Sequence, residues 1–392
     1  MTRVLIVRGH QATPWELAPW AELPERFEVS YLLSRSNRYP APKQLRAVKA
    51  RALRDLMPRG LVGELAAHAL GDRYLPPVGR EFAQTEIVHA EELSYWFAAE
   101  AARRKRGNAF KLVQTVWETL PLLSTYRNRR ARRNREAVLA HTDLFLPATE
   151  RAAHALELEG VERERMLVCP PGIDVARFAV AVPDPPPREH TILSLGRLEW
   201  EKGHHDVLRA LAALRGGMVR ADTGAEFART RLLIVGSGPE EGRLRAYAQE
   251  LGLGEAVEVR GAVPYEQMPE VLVGASAMVL ASQSSASGAY HPFGIPHAFW
   301  EEQFGMVLAE AMAAGLQIVA CANGAIAEVL QGAPASLVSS GDWLGIAQAL
   351  ADGPLSRAPG ARVDYPPELV ERYSTSAAAA RLAAAYDRLL AT

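Results

Sequence analysis

Cysteine is almost missing from this chain of 392 residues: Cys169 and Cys321 are its two thiols. They make neither a disulfide framework nor a zinc-ligand spacing, and such usage leads us to expect a reducing, cytoplasmic setting. Long apolar runs are lacking as well, since none reaches the roughly 18 residues of a membrane span. Met1-Thr2-Arg3 leads straight into an apolar strand pattern, so no secretory leader is expected. The basic stretches are poor in interleaved aromatics, which argues against a stacking platform and therefore against nucleic acid as a partner. A full dinucleotide fingerprint is absent too. Gly236 and Gly238 form a G-x-G, but Glu241 stands where the third glycine belongs.

What is present is the composition of a globular protein, 48% hydrophobic and 23% charged, in a chain long enough for two domains. Its charge is unevenly spread. Residues 1–180 carry 28 Lys+Arg against 21 Asp+Glu, and residues 181–392 carry 16 against 24, so the halves stand at +7 and −8. A basic first half points to an anionic partner there, a membrane surface or a phosphorylated acceptor. Two runs stand out: Arg103-Arg104-Lys105-Arg106, and Arg127 through Arg135 with six arginines in nine residues. In the second the arginines go round the whole helix and leave no clear apolar face. It reads either as a solvated helix or as a peripheral docking element for an anionic membrane at the inner face.

Short apolar runs before glycine or polar loops predict buried parallel strands. They fall at 3–7, 86–91, 111–116, 143–147 and 166–169, then at 191–195, 232–238, 257–263, 277–282 and 317–320. In an open α/β sheet, ligands sit beyond the carboxyl ends of the strands. Gly9 follows the first of these runs, and its loop is a candidate edge of a site. Residues 179–187, with four prolines, read as a linker.

The stretch at 301–315, EEQFGMVLAEAMAAG, organises the second half. Gly305 frees the backbone before an apolar helix whose one charge is Glu310, and Gly315 supplies a stop signal. Free N–H groups of a first helical turn bind anions, whereas the carboxylates of Glu302 and Glu310 accept from hydroxyls. A ligand with both phosphates and hydroxyls, a nucleotide-sugar, fits the combination.

Glu302 and Glu310, with seven residues between them and Phe304-Gly305 after the first, resemble the E-x7-E motif of retaining glycosyltransferases, family 4. Gly196-Arg197-Leu198 with Glu201-Lys202-Gly203, the 232–239 segment, 323–328 and Pro171-Gly172-Ile173-Asp174 resemble the same family. The resemblance implies the GT-B fold, an α/β arrangement of two doubly wound Rossmann-like domains facing across a cleft. The first, 1–180, would meet the acceptor; the second, 188–370, would bind the nucleotide-sugar; a helix in 371–392 would return to the first. It implies that Arg197 and Lys202 grip the diphosphate, with no metal or other cofactor needed. Gly305 and Met306 would supply N–H groups, with Phe304 beside them, Glu310 would take ribose hydroxyls and Glu302 sugar hydroxyls. The backbone of the loop at Val263 would read the base. The implied activity is transfer of a sugar to an acceptor, a glycan, lipid-linked or small molecule, with retention at the anomeric carbon.

The chain departs from the family at two places. The resemblance implies that the loop of Gly9 approaches the donor phosphate and that His89, Trp117 and Glu118 line the cleft, but this loop lacks the glycine pair common there, and Trp117 stands where many members have His. These departures favour one alternative, a non-catalytic nucleotide-sugar-binding subunit; a nucleotide-sugar epimerase of the same fold is the other. Between Ser282 and Glu302 lies a longer loop with His291 and His297, two histidines without nearby carboxylates and so a poor metal site.

Overall fold

A computed structural model describes residues 1–10, 12–35, 37, 39, 43–58, 60, 62–63, 73–123, 129–179, 184–221, 227–284 and 300–391. It divides into two units, Met1–Ile173 with Arg372–Thr392, and Asp174–Glu371. Each is built on a sheet of six parallel strands with helices on its faces.

In the first unit the strands are β1 (Thr2–Val7), β2 (Phe27–Ser34), β3 (Arg46–Ala50), β4 (Ile87–Glu91), β5 (Lys111–Val116) and β6 (Leu144–Pro147). Their order across the sheet is β3-β2-β1-β4-β5-β6. The second unit has β7 (Thr191–Leu195), β8 (Arg231–Val235), β9 (Val257–Arg260), β10 (Ala277–Leu280), β11 (Gln317–Cys321) and β12 (Ser336–Val338), ordered β12-β11-β10-β7-β8-β9. Both are the doubly wound order, in which the connection reverses beside the first strand. The reversal falls between β1 and β4 in one sheet and between β7 and β10 in the other. Parallel strands covered on both faces need apolar residues at successive positions, and β1 and β10 end in unbroken buried runs, Val4 to Val7 and Ala277 to Leu280.

One face of the first sheet packs Leu5, Val88 and Leu112 against the helix Trp96–Arg104 through Ala98 and Ala101. The other packs Val4, Ile6 and Val113 against the closing helix Thr375–Leu390. That helix starts at Ser374, whose Oγ accepts from Ala377 N at 3.0 Å. It buries Leu382, Tyr386 and Leu389, worth about 1.5–3 kcal/mol apiece. The Tyr386 hydroxyl accepts from Trp20 Nε1 at 2.8 Å and lies 2.6 Å from His89 Nδ1, while His89 Nε2 lies 2.7 Å from Thr115 Oγ1. His89 is fully buried with both ring nitrogens engaged. Burial, with Arg8 nearby, holds its pKa well below the ordinary imidazole value. The expectation that it lines a cleft is therefore corrected: it ties the closing helix to β4 and β5.

Two further readings change. Residues 166–169 do not form a strand. They touch β6 through a single bridge, Met166 with Phe145, and two backbone bonds, before Pro170 and Pro171 end the pairing. The arginine-rich helix Arg129–His141 does have a face to bury, made of Ala131, Asn134 and Val138. Asn134 Nδ2 donates to Ser94 O at 3.0 Å and its Oδ1 accepts from Arg103 at 2.8 Å. Arg104 pairs with Glu100, Lys105 with Asp143, Arg132 with Glu136 and Arg135 with Glu159, whereas Arg129, Arg130, Arg132 and Arg133 are exposed. Among the described residues no helix is long and apolar enough to cross a membrane.

Candidate active site

A polar cluster of the second unit stands beyond the carboxyl ends of β7 and β10, the neighbouring strands where the winding reverses. After β7 the chain turns through Arg197 and Lys202 into the helix His204–Arg215. Gly203 caps that helix with φ +67°, and a Cβ there would stand 1.9 Å from the Ala281 carbonyl oxygen. The lysine turn thus passes directly over the end of β10, where only glycine fits.

Lys202 Nζ lies 2.8 and 3.1 Å from the two carboxylate oxygens of Glu302, and 4.6 Å from the centre of the Trp300 ring. Both partners are nearly buried, their side chains 13% and 9% exposed. Glu302 is fixed at several points. Its Oε2 accepts from Ser282 Oγ at 2.7 Å, its N–H donates to Asn323 Oδ1 at 2.7 Å, and its carbonyl accepts from Ala325 N at 2.9 Å. Asn323 is held in turn by Ser284 at 2.6 Å. At Gly324, with φ +53°, a Cβ would stand 2.1 Å from the Glu302 carbonyl oxygen. A carboxylate this constrained is preorganised to accept hydrogen bonds in one direction.

Arg197 is more open, its side chain 56% exposed. Its guanidinium contacts Glu199, and Glu201 Oε1 lies 3.8 Å away. Its carbonyl accepts from His204 Nε2 at 3.1 Å, while His204 Nδ1 meets Ser194 Oγ at 2.8 Å. Burial pushes His204 down to about 4, so the ring is neutral and acts as a fixed strut between β7 and the arginine turn. The 236–240 segment braces the same turn, for Leu198 N donates to Ser237 O and Glu240 N to Leu198 O, at 2.9 and 3.0 Å.

The helix Met306–Ala313 begins after Gly305, which has φ 79°. Met306 and Val307 open its first turn, where N–H groups lack intrahelical acceptors. Glu310 is 5% exposed. Burial pushes its carboxyl up to about 7, against a hydrogen bond from Tyr265. Tyr265 belongs to the loop beyond β9, two residues past the half-buried Val263, and packs edge-on to Phe178 at 5.6 Å. The two glutamates of the motif therefore answer to different partners. Phe304, placed among the ligand contacts by the sequence, is a core side chain at 2% exposure. His291 and His297 lie outside the described residues. Among the described residues no group of three or more His, Cys, Asp and Glu side chains is placed to hold a metal ion.

In the first unit Gly9 is buried, its carbonyl accepting from Ser34 N and Oγ at 3.1 and 3.2 Å. Trp117 and Glu118 follow β5 and are half-buried. Trp117 N donates to Glu92 Oε1 at 2.8 Å. Glu92 escaped the sequence reading, yet it is 8% exposed and sits at φ 62°, a region costly for a residue with a Cβ. Burial and the neighbouring Glu118 push its carboxyl up to about 8. Ser282, Asn323 and Tyr265 were also missed; each lies inside or just after a run recognised as a strand and loop.

Residues 177–352 match the family model described as Glycosyl transferases group 1. WcaL of Escherichia coli K12, named for colanic acid biosynthesis, is 31% identical over 210 residues, 53% of this chain and 47% of that one. The chain spans about half the length of the curated relatives it matches. Sucrose-phosphate synthase from Thermosynechococcus elongatus shares the fold at a TM-score of 0.72, with 17% identity and 100% of both chains covered. Anabaena HepE, solved in complex with UDP and glucose, does so at 0.68, with 15% identity over 99% of this chain and 100% of that one. Residues 177–352 are thus similar to the glycosyl transferases group 1, and the chain shares the GT-B fold of these solved structures.

Proposed function

We propose that the chain transfers a glycosyl group from a nucleotide-sugar to an acceptor hydroxyl, with retention at the anomeric carbon. The observation that carries this reading is the clamped Lys202–Glu302 pair at the β7 and β10 ends, inside the matched family segment. The donor diphosphate takes Lys202, Arg197 and the first N–H groups of the Met306–Ala313 helix. These groups are in place before the leaving phosphate gains charge, which is where preorganised donors act most strongly. As Lys202 turns to phosphate, Glu302 accepts from hydroxyls of the transferred sugar. Glu310 accepts from ribose hydroxyls. No side chain is assigned as a nucleophile. A phosphate oxygen of the donor takes the acceptor's proton on the same face, and the protein contributes position and charge. Two cations do the work of a metal. The complex of HepE with UDP and glucose supports a nucleotide-sugar as donor. Arg129, Arg130, Arg132 and Arg133 meet an anionic membrane.

The test is incubation of the purified chain with UDP-, GDP- and ADP-sugars, with and without acceptors, in the presence of chelator. Transfer that persists under chelation, giving a product of unchanged anomeric configuration, is expected. Isomerised donor without acceptor would identify an epimerase, and binding without turnover a non-catalytic subunit. Inverted product would overturn retention, and activity restored only by magnesium or manganese would overturn the role given to the cations.

A further inference from the structure

Both cations of the site already hold a carboxylate of the chain itself. Lys202 holds Glu302, which belongs to the sugar-binding machinery of the proposed reaction. Arg197 holds Glu199, which has no place in it. The guanidinium meets Glu199 through Nη1 and turns Nη2 toward Glu201, using the outer fork that carboxylates and phosphates both engage. Glu199 is 30% exposed and Glu201 13%. They share a hydrogen bond, which with the charges of Arg197 and Lys202 keeps Glu199 below the ordinary carboxylate range. Burial and that same bond push Glu201 up to about 7. The carboxylate that meets Arg197 directly is Glu199.

We propose that Glu199 is an internal anion that competes with ligand phosphate for Arg197, and so limits how long a nucleoside diphosphate stays in the site. This rests on the reading of Arg197 as a phosphate ligand. The competition has a direction. A nucleoside diphosphate carries more negative charge than the nucleotide-sugar it comes from, so a fixed carboxylate beside the phosphates disfavours product more than donor. Glu199 is thus an affinity-setting residue, whose removal tightens binding where removal of a contact would weaken it.

The test is calorimetric titration of the whole chain with inorganic pyrophosphate, which needs no knowledge of the base, and with UDP. Wild type, Glu199→Gln, Glu199→Ala, Arg197→Ala and the Arg197→Ala/Glu199→Gln double variant are compared at low salt, with folding checked by circular dichroism. Loss of Glu199 is expected to tighten pyrophosphate about two- to fivefold, the range of one exposed ion pair. Arg197→Ala is expected to weaken it, and in that background Glu199→Gln is expected to give clearly less gain. Unchanged or weaker binding in both Glu199 variants, with Arg197→Ala still weakening, would overturn the competition and leave the phosphate role of Arg197 standing. Unchanged binding in Arg197→Ala would overturn both.

Discussion

Glu310 is the residue whose burial makes the most exacting demand on the fold, and replacing it with Gln tests that demand. Its carboxyl is moved from 4.5 to about 7, chiefly by burial. At about 1.4 kcal/mol per pH unit, that rise corresponds to roughly 3 kcal/mol between the two protonation states. The folded pKa lies above the unfolded one, so the stability tied to this group is fully present below 4.5. It is lost as pH rises through about 7. Gln keeps the shape and an oxygen for Tyr265 to donate to, and it does not ionise. Equilibrium urea unfolding of wild type and Glu310→Gln, followed from pH 4.5 to pH 8, measures the difference. The variant is expected to gain roughly 3 kcal/mol on wild type across that window. Other shifted groups, such as Glu92 and Glu201, are present in both proteins and cancel in the comparison. Parallel stability curves at all pH values would refute the argument, since Glu310 would then hold no charge out of water.

The same two glutamates separate by ligand. Glu310→Gln is expected to weaken donor and nucleoside diphosphate alike, while Glu302→Gln weakens donor or turnover and spares nucleoside diphosphate. Calorimetry with both ligands decides it, the loss of a charge-assisted bond being about 1.5–3 kcal/mol. Arg197→Ala and Lys202→Ala are each expected to cost about 2–4 kcal/mol of transition-state stabilisation, read as kcat/KM. Only Lys202→Ala should also lower stability, by about 3–5 kcal/mol, because it leaves Glu302 buried and unpaired; equal unfolding midpoints would count against that. Neutralising Arg129, Arg130, Arg132 and Arg133 is expected to reduce binding to anionic vesicles by about 1 kcal/mol per charge. Equal sedimentation with vesicles at low salt would leave only a solvated helix.

Much of the fold was legible because a parallel strand covered on both faces writes itself as an unbroken apolar run. β1 and β10 hold such runs, whereas β3, an edge strand reading Arg-Ala-Val-Lys-Ala with mostly exposed side chains, leaves no such trace. β2 carries Glu28 and Ser30 in its first half and was passed over too. Within the site, Arg197, Lys202, Glu302 and Glu310 were legible as residue types at a spacing. Their partners were not: Lys202 and Glu302 are 100 positions apart and Glu302 and Asn323 are 21 apart. Such pairs are set by which strands are neighbours, and no local period records that. Phe304, which the resemblance sets beside the ligand, keeps its side chain buried at 2% exposure. The geometry adds one thing the spacing does not hold. Glu310 and Glu92 are carboxyls buried with raised pKa, Glu92 is also held at positive φ, and Lys202 and Glu302 form a nearly buried ion pair. Each lowers stability relative to an apolar or glycine alternative at the same place. Three of these four residues stand at carboxyl ends of strands or in the turns that follow them, and Glu310 stands on the helix that rises from such a turn. A chain that carries these costs there, and packs apolar residues through the sheets below, gathers its buried charges where the strands end.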